Sequence, residues 1–249
     1  MQDLWLVGIG TGNPAHVTLE AVEALRNATL ILVPRKGAGK EDLADLRHDI
    51  LARIGVSAAV IEFDMPVRDE NLPYVLRVNR WHDQIAAIWA RTIAEARPEG
   101  GPVALLVWGD PGLYDSTLRI ASRLDPRPRI RVVPGITALQ ALTAAHAIAF
   151  NTVNGAVTVT TGRRLRDHGW PIGAETVIVM LDGECSFQRL NPAGLHIWWG
   201  GFLGMRQQVL ESGPLAEATP RILKARAEAR ERHGWIMDTY LLRRDTVKG

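Results

Sequence analysis

A chain of 249 residues with 47% hydrophobic and 22% charged content can bury a large core, which excludes disorder as the default and leaves room for one large domain or two smaller ones. Its formal net charge of only +2 gives no reason to expect nucleic acid or an anionic membrane as a partner. Cys185 is the sole cysteine, so an intrachain disulfide framework and a multi-cysteine metal site are excluded and a reducing compartment fits.

Leu4 to Val7 is a short apolar run ending in Gly8-Ile9-Gly10-Thr11-Gly12, and Thr18 opens a helical pattern through Leu19, Val22 and Leu25. The chain therefore starts as strand, glycine loop and helix. Leu30 to Val33 and Ala58 to Phe63 read as two further strands, closed by Pro34 and Pro66. From Tyr74 to Trp89 the residues Val78, Trp81, Ile85, Ile88 and Trp89 recur at the period of an amphipathic helix. Val103 to Trp108 and Ile130 to Val133 are continuous apolar runs, which predicts buried parallel strands with helical crossovers.

Beyond Pro134-Gly135 an Ala-rich helical stretch runs to Phe150, and Asn151 to Gly155 reads as a linker. The second half has strand candidates at Val157 to Thr160, Thr176 to Leu181, His196 to Trp199 and Trp235 to Leu242, with a helix from Pro220 to Arg232. The fold expected is two α/β domains, residues 1–150 and 151–249, the first with a mainly parallel sheet. Met1-Gln2-Asp3-Leu4 has no basic segment leading into an apolar one, and no apolar run reaches about 18 residues. A cytoplasmic protein with no membrane span is expected.

Gly8, Gly10 and Gly12 after the first strand could make a dinucleotide loop, because glycines let a backbone approach phosphate at a helix N-terminus. The fingerprint, however, requires a glycine where Asn13 stands and an acid near the end of the second strand, which reads Pro34-Arg35-Lys36. The basic pair there could meet a ribose phosphate, so an NADP-dependent oxidoreductase stays open at this point. His82 and His146 fall in predicted helices without a paired-ligand pattern, and no metal is assigned. The basic run from Arg221 to Arg232 is interleaved with Glu228, Glu231 and alanines and reads as a solvated helix face.

Four glycine-containing segments stand in order: Gly8-Ile9-Gly10-Thr11-Gly12-Asn13-Pro14 with Thr18-Leu19, then Gly109-Asp110-Pro111-Gly112-Leu113-Tyr114, then Val133-Pro134-Gly135-Ile136-Thr137-Ala138, then Trp199-Gly200-Gly201. Together with the closing Trp235-Ile236-Met237-Asp238-Thr239-Tyr240, they resemble the tetrapyrrole methylases over almost the whole chain. The resemblance implies two α/β domains with S-adenosylmethionine folded in the cleft between them and S-adenosylhomocysteine as its product. Contacts would be mostly by backbone, from Trp108, Gly109, Asp110, Leu113, Thr137, Ala138, Met180, Trp199 and Gly200.

Pro34 replaces the acid, and Thr11 the proline, of the members acting on uroporphyrinogen, so a later corrin-pathway step is expected. Val33-Pro34-Arg35-Lys36-Gly37, Trp81-His82-Asp83, Asp182-Gly183-Glu184-Cys185-Ser186-Phe187 and Trp198-Trp199-Gly200-Gly201-Phe202-Leu203-Gly204 are similar to a member that methylates carbon 1 of precorrin-5 with hydrolytic loss of acetate. Methyl transfer from a sulfonium needs positioning and exclusion of water rather than a nucleophilic side chain. Deacylation needs an acid or base and donors for an oxyanion; Tyr114, Asp182 and Asp238, in or beside the matched segments, are the candidates. Arg35 and Lys36 are the candidates for contact with carboxylates of the tetrapyrrole, and a homodimer is implied. Another precorrin methyltransferase and a noncatalytic tetrapyrrole-binding protein are the alternatives.

Overall fold

The computed structural model describes residues 2–35, 42–96 and 100–245, and its contacts fall into two units, Met1–Thr137 and Ala138–Gly249. In chain order the first unit contains β1 (Asp3–Gly8), α1 (Leu19–Asn27), β2 (Leu30–Arg35), α2 (Asp42–Ile54), β3 (Ala59–Asp64), α3 (Tyr74–Ala96), β4 (Val103–Val107), α4 (Thr117–Ala121) and β5 (Arg129–Val133). The strands form one sheet in the order β3-β2-β4-β1-β5, every pairing parallel.

That order has a consequence for the helices. The chain moves one way across the sheet from β1 to β3 and returns from β3 to β5, so right-handed crossovers put the helices of the two legs on opposite faces. Side chains sort accordingly, alternating along each strand. Val7, Ile31, Val33, Ala104 and Leu106 pack with Ala21, Leu25, Ile50 and Leu51 of α1 and α2. Leu4, Leu6, Leu30, Leu32, Val103 and Leu105 pack with Ile85, Trp89 and Ile120 of α3 and α4. Burial on both faces is why β1, β2 and β4 read as unbroken apolar runs.

The second unit contains α5 (Ala138–Ala145), β6 (Val157–Thr161), α6 (Gly162–His168), β7 (Thr176–Met180), β8 (Leu195–Gly201), β9 (Val209–Pro214), α7 (Leu215–His233) and β10 (Asp238–Arg244). Its sheet has the order β6-β7-β10-β8-β9; β6 and β7 are parallel, and the other pairings are antiparallel. One face buries Val177, Val179, Ile197, Trp199, Tyr240 and Leu242 against Leu165 of α6 and Leu215, Ala218 and Ile222 of α7. Helix α5 lies against β8 and β10, and Gly200 permits this: a Cβ there would stand 3.1 Å from Leu142 Cδ1. By its contacts α5 goes with the second unit, and the joint read near residue 151 follows it.

Helices α2, α4 and α6 and strand β9 add to the elements expected from sequence. Strand β9 is an edge strand, half-buried except for its exposed last residue, and carries little alternation to read. Helix α7 starts before Pro220, because Leu215 and Ala218 are buried in the core of the unit. Among the described residues no helix is long and apolar enough to cross a membrane.

Candidate functional site

Three of the four glycine segments meet at the C-terminal ends of β1, β4 and β5, the edge at which open parallel sheets take ligands. Gly10 and Gly109 exchange backbone hydrogen bonds, Gly109 N–H to Gly10 O at 2.7 Å and Gly10 N–H to Gly109 O at 3.3 Å. A side chain on Gly135 would collide with the Gly109 carbonyl and stand 2.9 Å from Gly8 Cα. Only glycine allows these three backbones to come so close. Asp110 then stitches two loops together: Oδ1 accepts Gly112 N–H at 2.7 Å and Oδ2 accepts Gly135 N–H at 2.9 Å.

Gly109 has φ of 68°, and a Cβ there would meet no described atom beyond its chain neighbours nearer than Thr137 Cα, at 4.0 Å. One face of this junction is open, and the backbone of Gly109 and Thr137 borders it. Leu113, half-buried, donates its N–H to Asp110 O at 3.2 Å. Trp108 packs on the α1/α2 core, with the Arg47 guanidinium 5.8 Å from its ring centroid. Arg47 is 7% exposed; burial pulls it down to about 10, against the pull of Asp115. Sequence reading passed over Arg47 because it passed over α2. Tyr114 sits at φ 48°, is 43% exposed and precedes Asp115, whose Oδ1 accepts Thr117 N–H at 2.6 Å and so leads the loop into α4.

The first glycine loop brings in a residue that sequence reading left aside. His16 closes a short 3-10 turn, Pro14–His16, and its Nδ1 lies 2.8 Å from the Thr11 hydroxyl. Thr11 is 4% exposed and His16 half-buried; burial lowers the imidazole pKa from its ordinary value. The signal available in sequence was a histidine five positions after a threonine in a glycine loop.

Ala138, Met180, Trp199 and Gly200 belong to the second unit. Ala138 is the first residue of α5 and Met180 the last of β7. The Trp199 side chain is fully buried in the core of that unit, so a ligand could meet this residue only at its backbone, and its carbonyl accepts from His146 Nε2 at 3.0 Å. Asp182 is 7% exposed and holds its own loop, accepting from Glu184 N–H, Ser186 N–H, Ser186 Oγ and Tyr240 OH at 2.6 to 3.1 Å. Burial and the neighbouring Asp182 raise Tyr240 well above the ordinary tyrosine value, so it remains the donor.

Asp238 accepts from Trp199 Nε1–H at 2.9 Å and Arg226 Nε–H at 3.0 Å. Burial raises its carboxyl above the ordinary value, with Arg226 and Trp199 pulling the other way. Arg226 also donates to the carbonyls of Asp182 and Gly183, each at 3.3 Å. Its side chain is 12% exposed, which corrects the reading of the whole basic run on α7 as solvated. Of the three candidate acids and bases, Asp182 and Asp238 are thus bound into one network, and Tyr114 is at the surface.

Arg35, expected to meet substrate carboxylates, donates to Asp64 Oδ1 and Oδ2 at 3.1 and 3.2 Å and lies 3.4 Å from Glu62. Lys36 lies outside the described residues. Among the described residues no group of three or more His, Cys, Asp or Glu could hold a metal ion.

Residues 3–219 match the family model for Tetrapyrrole (Corrin/Porphyrin) Methylases. The chain is 46% identical over 251 residues to a Sinorhizobium protein described as precorrin-6A synthase (deacetylating), covering 98% of this chain and 96% of that one. A crystal structure of a cobalamin-synthesis-related protein (CobF) from Corynebacterium diphtheriae superposes with a TM-score of 0.85 at 39% identity, over 98% of this chain and 99% of that one. The uroporphyrin-III C-methyltransferase of Thermus thermophilus, solved with S-adenyl homocysteine, shares the fold at TM-score 0.59 and 17% identity, covering 96% of each chain.

Proposed function

The chain belongs to the tetrapyrrole (corrin/porphyrin) methylases, and on that premise we propose that it catalyses the precorrin-6A synthase reaction of aerobic cobalamin biosynthesis. A methyl group goes to carbon 1 of precorrin-5 and acetate is lost by hydrolysis. The observation that carries this reading is the 46% identity to a precorrin-6A synthase (deacetylating) over nearly the full length of both chains.

The open face of Gly109 suits a small ligand held by backbone groups. The first-unit residues proposed to hold S-adenosylmethionine are Trp108, Gly109, Asp110, Leu113 and Thr137; those of the second unit are Ala138, Met180, Trp199 and Gly200. When bound, the group supplies an electrophilic methyl on a sulfonium and leaves as S-adenosylhomocysteine. Asp110 acts indirectly, fixing the loops around Gly109 and Gly135 so that little ordering is left to do on binding.

Of the catalytic candidates, Tyr114 can serve as a proton donor through its phenol O–H. Asp182 and Asp238 are assigned the positioning of the loop after β7, because each is already engaged by donors of its own unit. The homodimer and the cytoplasmic location implied by the resemblance belong to the same reading, and sedimentation at micromolar concentration tests the dimer. The reaction is tested by offering precorrin-2, precorrin-4 and precorrin-5 in parallel with the methyl donor. Consumption of precorrin-5 alone is expected; methylation of an earlier intermediate instead would move the chain to another precorrin methyltransferase, and ligand binding without turnover would make it a binding protein.

A further inference from the structure

Methyl transfer to an electron-rich carbon asks no side chain to take a proton, but hydrolysis of an acetyl group does. Asp182, Asp238 and Cys185 are poor candidates for that task. Asp182 accepts four hydrogen bonds, Asp238 is paired with Arg226, and the buried Cys185 thiol is raised to about 11 by burial. Of the other histidines, His48 is engaged with Glu62 and His146 with the Trp199 carbonyl, and His82 is 3% exposed. His196 and His233 pack on the rings of Trp198 and Phe202, and His168 lies exposed at the end of α6, away from the glycine segments in sequence.

His16 is differently placed. Its turn packs on the end of β1, where a side chain on Gly10 would stand 2.7 Å from His16 Cβ and 3.0 Å from its carbonyl oxygen. Gly10 is in turn hydrogen-bonded in both directions to Gly109. The imidazole is therefore anchored beside the glycine junction, with Nδ1 tied to the buried Thr11 hydroxyl and the ring only half-buried.

We propose that His16 is the general base of the deacetylation, with Thr11 accepting from Nδ1–H so that the lone pair lies on Nε2. The inference rests on the reaction proposed above. Water adds through oxygen to the acetyl carbonyl carbon as one of its protons passes to Nε2. The bond between that carbon and the macrocycle then breaks, its electron pair staying on the macrocycle and acetic acid leaving. The macrocycle carbon so released is the nucleophile that takes the methyl group, and the proton on His16 passes to solvent. Burial, which lowers the imidazole pKa, keeps the ring unprotonated and able to act at neutral pH.

The test uses the whole enzyme with precorrin-5 and S-adenosylmethionine under anaerobic conditions, and measures acetate release beside calorimetric binding of S-adenosylhomocysteine. His16→Asn keeps a hydrogen-bonding group near Nδ1 and removes Nε2, whereas His16→Gln places an amide near Nε2 that cannot take up a proton. Both variants are expected to release acetate about 10²- to 10⁴-fold more slowly, the span of general-base catalysis, with the affinity for S-adenosylhomocysteine within about twofold of wild type. Acetate release by His16→Asn within about tenfold of wild type would overturn the proposal, because a residue that merely holds the loop through Nδ1 behaves that way. Loss of S-adenosylhomocysteine binding in both variants would overturn it too, by making His16 a structural residue. A wild-type enzyme that methylates precorrin-5 without acetate would instead defeat the underlying reaction.

Discussion

Asp110 accepts the amides of Gly112 and Gly135 at 2.7 and 2.9 Å, and through them it fixes the loops that border Gly109. Hydrogen bonds to a charged acceptor each contribute about 1.5–3 kcal/mol when the partner is otherwise left unsatisfied. Asp110→Ala is therefore predicted to lower unfolding stability by about 2 kcal/mol and, since about 1.4 kcal/mol is tenfold in a binding constant, to weaken S-adenosylhomocysteine by roughly tenfold. Urea unfolding and calorimetry check both; unchanged affinity in a destabilised variant would confine Asp110 to stability. Residues of this kind are legible by type and not by partner. Gly10, Gly109 and Gly135 stand out in the sequence because their segments recur in order, but a bond from residue 110 to residue 135 leaves no periodic trace. For the same reason nothing in the sequence signals that the Trp199 ring lies in the core and leaves only its backbone to a ligand, and His16 reads as nothing until Thr11 is beside it.

At the scale of elements, the strands buried on both faces, β1, β2 and β4, are visible as apolar runs, whereas β9 at a sheet edge and the short α4 and α6 carry too little pattern to be found. Helix α7 shows how burial overrides a charge pattern: one arginine of its basic run, Arg226, points inward and binds Asp238 and two carbonyls of the loop after β7. Removing one member of a largely buried pair costs about 3–5 kcal/mol. Arg226→Met is predicted to lose about 3 kcal/mol in urea unfolding, near the lower end of that range because Trp199 still donates to Asp238; a loss below about 1 kcal/mol would mean the pair is not needed to hold the loop. Helices α3 and α4 meet where Arg123 donates to Asn79 Oδ1 at 2.8 Å and pairs with Asp83. His82 lies in the same stretch of α3, with neither ring nitrogen hydrogen-bonded among the described residues. Burial first, then Arg123, Arg119 and Arg68, lower its pKa from the ordinary 6.5. As pH falls below 6.5 the unfolded chain takes up a proton that the folded ring refuses, so stability drops on the acid side and this group contributes no pH dependence well above that value. His82→Leu should flatten that drop when unfolding is compared at pH 5.5 and 7.5; an unchanged slope would show that the ring protonates freely in the folded state.

For the whole molecule, a net charge of +2 means that any preference for an anionic ligand has to come from local groups. Each of the four ordered segments says little singly; in register they point to the family that residues 3–219 match. The two sheets, one wholly parallel and one mixed, agree with the fold read from the alternation of strands and helices. The chemistry is less legible than the fold, because the step that sets this reaction apart from plain methyl transfer, loss of acetate, rests on side chains brought together from distant positions. The most direct test is one anaerobic reaction of the purified protein with S-adenosylmethionine and precorrin-5, reading tetrapyrrole mass and released acetate together. The account predicts one methyl group gained and one acetate released for each precorrin-5 consumed; methylation with no acetate, or no reaction from folded protein, would contradict it.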